Sequence, residues 1–126
     1  MQQMLLVALG GALGSVLRYL TVGLAIRWLG ADFPWGTLAV NLVGSFAIGV
    51  VNELGSDALR LSPDTRVFLA TGVLGGLTTY SAFSYETARL IGAQAWSTAG
   101  LYVVVTTVAC LALCLIGMAA ARSLAG

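Results

Sequence analysis

Apolar residues fill four stretches of the chain, about residues 4–28, 35–54, 67–90 and 97–121. Each is close to the roughly 20 residues that carry a helix across a bilayer. Between them lie RWLGADFPWG, NELGSDALRLSPDTR and LIGAQAWS, each holding Gly, Pro or charge, the residues that end helices. The pattern predicts an all-α integral membrane protein with four transmembrane helices. Residues 1–126 form one such domain, with no room for a separate soluble one. The first stretch has no basic leader and runs on past any small-residue cleavage point. It reads as a span and not as a removed signal peptide.

Polar residues inside these spans fall into stripes. Thr37, Asn41 and Ser45 are four apart in the second span, and Tyr102, Thr106 and Cys110 are four apart in the fourth. That spacing puts each set on one helical face. A single hydroxyl in a membrane helix often bonds its own i−4 carbonyl. An Asn amide in hydrocarbon needs a partner, and two three-member stripes read as a lined pathway. Arg18 sits near the middle of the first span, where a charge costs at least about 2.5–3.5 kcal/mol on insertion scales. It needs a partner or an aqueous cavity. Glu86 lies where it could face the same water-filled vestibule. Gly10 and Gly14 have the small-xxx-small spacing that lets membrane helices approach closely.

Composition agrees with a bilayer solvent: 59% of residues are hydrophobic, 9% are charged, and there is no histidine. The net charge of +1 gives no footing for nucleic acid. Cys110 and Cys114 are the only cysteines, and with no histidine they make no zinc site. With four spans both termini share a side. That side carries Arg60, Arg66 and Arg122 against Arg27 and Arg89 on the other. Topology follows such loop cations, and a bias this small permits insertion in either direction and antiparallel pairing. A four-helix bundle this short fills itself with side chains, so a pathway belongs at an interface between copies.

The densest chemistry is GVLGGLTTYSAFSYE, residues 72–86. Gly75 and Gly76 leave helical geometry cheaply, so the third helix is expected to break near that pair. A break at membrane depth frees carbonyls that protein, water or an ion must cover. Freed carbonyls suit a hard cation such as Na⁺. Beyond the break, Thr78, Thr79, Ser81 and Ser84 offer hydroxyls, and Tyr80 and Phe83 offer ring edges, the positive part of the aromatic quadrupole. Donors, edges and one buried arginine suit an anion; a cation pathway would favour carboxylates. A small, strongly hydrated anion fits a narrow path of close donors, with fluoride fitting best and chloride wanting a wider site. Composition leaves that choice open.

At this point the sequence resembles the Fluc (CrcB-type) fluoride channel family. The resemblance rests on GGALGSVLRY, WGTLAVNLVGSFAIG and GVLGGLTTYSAFSYET and covers nearly the whole chain. It implies an antiparallel, dual-topology homodimer in a prokaryotic inner membrane, with two fluoride pores and a central structural Na⁺. It implies Asn41 as the pore asparagine, and Tyr80 and Phe83 as the ring edges facing fluoride, followed by Thr79 and Ser81. Tyr102, Thr106 and Cys110 match a polar track, and Arg18, Thr37 and Glu86 the mouth of the pathway. The backbone carbonyls of Gly75 and Thr78 would hold Na⁺. The chain departs from the family pattern with Tyr80 for Phe, Ala82 for Thr, and Cys110 for a frequent Ser.

The expected activity is passive, selective export of fluoride, with no enzyme chemistry. Two rivals are a small multidrug-type transporter and a structural subunit. The transporter needs a carboxylate in the first span to couple protons, where this chain carries Arg18. The structural subunit would use its polar stripes only for helix contacts.

Overall fold

The computed structural model describes residues 1–56 and 60–125; residues 57–59, within the second interspan break, lie outside the described residues. Helix α1 runs Gln2–Leu29 and α2 Trp35–Gly55. The third span is assembled from pieces: α3 Pro63–Arg66, a π-helical stretch Val67–Leu74, α4 Gly75–Leu77 and α5 Tyr80–Gly92. Helix α6 runs Trp96–Ala125. The described residues hold four helical units long and apolar enough to cross a membrane, matching the four expected spans. The third begins at Pro63, four residues earlier than the apolar run predicts. Ser62 accepts a hydrogen bond from the Thr65 amide (3.1 Å) and Pro63 occupies the first turn, which together start a helix ahead of its apolar part.

Two seams hold the bundle. In one, α1 lies against the π-helical stretch and α4. A Cβ on Gly10 would strike the Phe68 carbonyl, one on Gly14 the Val73 carbonyl, and one on Gly76 the Gly11 carbonyl. Backbone meets backbone, the close approach that glycine permits in membranes. In the other seam α2 lies against α6, with Gly49 against the Cys114 carbonyl and Gly117 against the Phe46 carbonyl. Gly30, at φ 86, turns the chain between α1 and α2, a left-handed conformation that costs glycine little.

The buried apolar cluster is small: Leu38, Phe83 and Tyr102, with Phe33, Leu42, Leu90 and Val105 packed around it. It sits where α2, α5 and α6 meet. Large apolar side chains such as Leu9, Leu20, Leu111 and Leu115 point outward along α1 and α6. In water such a surface would aggregate; in a bilayer, lipid covers it.

The break expected near Gly75–Gly76 falls just beyond that pair. Gly75 is helical (φ −63, ψ −39), and Gly76 lies within α4. The non-helical residues are Thr78 (φ −85, ψ 152) and Thr79 (φ −152, ψ 122). Gly76 has a different task. Its missing Cβ admits the backbone of α1, so permissive torsions are not what selects glycine there.

Candidate functional site

The Thr78 amide still donates to the Leu74 carbonyl (3.0 Å), but at Thr79 regular helical bonding stops and side chains take over. The Thr79 amide donates to Asn41 Oδ1 (2.9 Å) and Asn41 Nδ2 donates to the Thr79 carbonyl (3.2 Å). One amide side chain on α2 thus satisfies both backbone groups of an extended residue, which hydrocarbon could not do. Thr79 also caps α5, its Oγ1 accepting from the Ala82 amide (3.2 Å). Thr78 Oγ1 donates back to the Leu74 carbonyl (2.9 Å). Gly44 makes room for this segment, since a Cβ there would strike Thr78 Cγ2.

With the Thr79 amide turned to Asn41, the Gly75 carbonyl loses its helical donor. The next carbonyl, Gly76, accepts from Arg18 Nε (3.1 Å). This is the partner the first-span arginine requires. It is a carbonyl at the end of α4 and not a carboxylate.

A cavity of about 480 Å³ opens beside this segment, between α2, the third span and α6. It gathers nine sequence-predicted residues: Asn41, Ser45, Gly75, Thr78, Thr79, Tyr80, Phe83, Thr106 and Cys110. Phe83 is buried, while Tyr80 is 79% exposed and faces outward. Their rings meet edge to face at 5.5 Å, and Phe83 meets Tyr102 at 5.1 Å. Tyr102 does not line this cavity; it lies behind Phe83, fully buried. Its Oη and Thr106 Oγ1 are buried without hydrogen-bond partners among the described residues. Ser81 is exposed and outside the lining, its hydroxyl 3.2 Å from that of Thr79.

Arg18, Thr37 and Glu86 gather elsewhere. They line a larger cavity of about 880 Å³ that shares Thr79 with the first. Thr37 Oγ1 donates to Glu86 Oε2 (3.1 Å), while Glu86 Oε1 is buried without a partner among the described residues. Arg89, which the sequence reading counts only as a loop cation and not as a site residue, lines this cavity too. Its spacing of three from Glu86 on one helix was the available signal. Thr107 of the first cavity carried no such signal, because it lies off the four-residue stripe of α6.

Four spans and a polar groove at mid-span define a multi-pass membrane protein. Its chemistry is gathered around an interrupted helix. Residues 5–118 match the family described as "CrcB-like protein, Camphor Resistance (CrcB)". The chain is 46% identical to a protein of Anaeromyxobacter dehalogenans over 126 residues, covering 100% of both chains. It is 47% identical to one of Agrobacterium fabrum over 119 residues, 94% of this chain and 95% of that one. Against a protein of Sorangium cellulosum it is 43% identical over 124 residues, 98% of each. Each of the three is named "Fluoride-specific ion channel FluC". The chain belongs to the CrcB family.

Proposed function

We infer that this chain is a passive fluoride channel that works as an antiparallel homodimer in a prokaryotic plasma membrane. The observation that carries the reading is the mid-span cavity, where amide, hydroxyl and thiol groups converge with two ring edges. Fluoride entering a narrow route must replace its hydration. In this reading Thr106 Oγ1, which has no hydrogen-bond partner among the described residues, and the ring edges of Tyr80 and Phe83 would take over that role. The relatives' names support fluoride over chloride.

No coupling machinery is needed. Hydrogen fluoride crosses a bilayer uncharged and ionises inside, and a membrane potential drives an anion outward by about 2.3 kcal/mol per 100 mV. In this reading the chain is a channel and not an enzyme.

The dimer and its ion are part of the same reading. Tyr80 and Gly75 are exposed on the single chain although they line the cavity, so a second copy would close the open side. The carbonyls of Gly75 and Thr78 fit a structural Na⁺. Gly75 O has lost its helical donor, and the set is all hard oxygen. Bound there, Na⁺ would neutralise carbonyl dipoles that converge from two copies.

The test is fluoride efflux from liposomes carrying the purified chain, followed with a fluoride electrode. Rapid fluoride loss without chloride loss, from a particle of twice the 13.0 kDa chain mass, is expected. Efflux no faster than from empty liposomes would refute the channel. A monomer in the detergent and lipid conditions that give efflux would refute the pairing.

A further inference from the structure

The α2 stripe does not stop at Ser45. Continued at helical spacing, it reaches Ile48 and then Asn52. There a third cavity opens, of about 430 Å³, sharing Ile48 and Ala70 with the mid-span cavity. Its polar lining is Asn52, Arg66 and Thr71. The groove therefore runs from the mid-span chemistry to an arginine at the end of the molecule remote from Glu86.

Two features set Arg66 apart. Its stem lies on the bare backbone of Gly55, where an added Cβ would come within 2.5 Å of Arg66 Cδ. Among the described residues, two carboxylates of the adjoining segments are engaged elsewhere. Glu53 pairs with Arg122 (2.6 Å) and Asp64 accepts from Gln2 (2.8 Å). Among the described residues no ion pair neutralises Arg66. The result, among the described residues, is a guanidinium without an ion-pair partner beside an amide and a hydroxyl, at the end of the groove.

We propose that Arg66, Asn52 and Thr71 form an outer site for a small, partly hydrated anion, and that fluoride is held there at one end of the route. This rests on the channel reading above. The antiparallel pairing gives it a further consequence. Arg66 lies nine residues before Gly75, and Glu86 eight after Thr78, each on the order of 12 Å along the helix. A twofold axis through Gly75 and Thr78 brings Arg66 of one copy to the level of Glu86 in the other. Each face of the dimer then carries both cavities, and the outer site of one copy serves the mouth of the other.

The experiment measures initial fluoride efflux from phosphatidylcholine liposomes at subsaturating fluoride, in ~10 mM and ~1 M impermeant salt, where charge screening differs greatly. Arg66→Gln is expected to slow efflux about threefold at low salt, the scale of a partly exposed charge. The deficit should vanish at high salt and at saturating fluoride, and Arg66→Lys should retain most of the rate. Asn52→Asp places a carboxylate beside the same guanidinium. It should show the same salt-dependent deficit, which keeps the test available if Arg66→Gln misfolds. Unchanged low-salt efflux in either folded variant overturns the site. A deficit equal at both salts assigns Arg66 a structural role and overturns it too. A deficit seen only with phosphatidylglycerol in the membrane assigns the guanidinium to lipid phosphate and likewise overturns the anion site. Wild-type chain without fluoride efflux overturns the channel reading and this site with it.

Discussion

The seam between α1 and the third span and the groove between α2, α6 and the same span are built from opposite materials. In the seam, Gly10, Gly14, Gly72 and Gly76 leave no side chain, so carbonyls and Cα atoms touch directly. In the groove, Asn41, Thr78, Thr79 and Thr106 bring polar atoms that lipid cannot satisfy. One wall of the third span is therefore packed shut and the other is held open around a bonded interruption. Damage should therefore register differently on the two sides: seam changes in whether the chain folds, groove changes in what crosses it.

The largest effect is expected in the seam. Gly14→Val would drive a branched side chain into the Val73 carbonyl and the Leu77 amide. Both are backbone, so neither can swing aside, and overpacking costs about 1–3 kcal/mol or more even where some relief exists. The expected result is loss of monodisperse protein on size exclusion. A folded Gly14→Val variant with wild-type elution would break the contrast at its root.

Next comes the groove. Phe83→Ile keeps an apolar side chain in the buried cluster but removes the ring that meets Tyr80 and Tyr102 edge to face. Efflux should fall about tenfold, equivalent to ~1.4 kcal/mol of barrier, with elution unchanged. Wild-type flux would remove that ring from the route.

Asn41→Asp tests both sides of the comparison at once. A carboxylate can still accept from the Thr79 amide, but it cannot donate to the Thr79 carbonyl as Nδ2 does. An unsatisfied buried carbonyl costs about 1–3 kcal/mol, so a moderate loss of thermal stability is expected. Like charge should also repel the anion, so efflux should fall further than stability does. A stable variant with full flux would place Asn41 outside both roles.

Much of this arrangement is legible in the sequence. Four-residue spacing marks Asn41, Thr106 and Cys110, and they do line one cavity. The glycines of the first span form a close-approach motif, and Gly10 and Gly14 pack against backbone. The site of the interruption is not legible. Torsional freedom points to Gly75–Gly76, yet Thr78 and Thr79 are the extended pair. Threonine is β-branched, caps α5 through Oγ1 and gains a bonded partner 38 positions away in Asn41. Only the tertiary contact makes that choice cheap. The π-helical turns of Val67–Leu74 have no residue signal at all.

The smallest effect on the chain itself is the sharpest probe of what lies beyond it. At Gly75 an added Cβ has no near neighbour, the closest atom being the Ala70 carbonyl at 3.8 Å. Alanine also favours helix over glycine by roughly 0.5–1 kcal/mol. Gly75→Ala should therefore leave the helical signal of the single chain intact or slightly more heat-resistant, unlike its neighbour Gly76, which the seam encloses. If Gly75 faces a second copy across the proposed axis, the same methyl lies between two backbones. The dimer fraction by light scattering should then fall, and efflux with it. A Gly75→Ala chain that dimerises as wild type would move the axis away from this carbonyl and leave the groove to be closed by something other than a second copy.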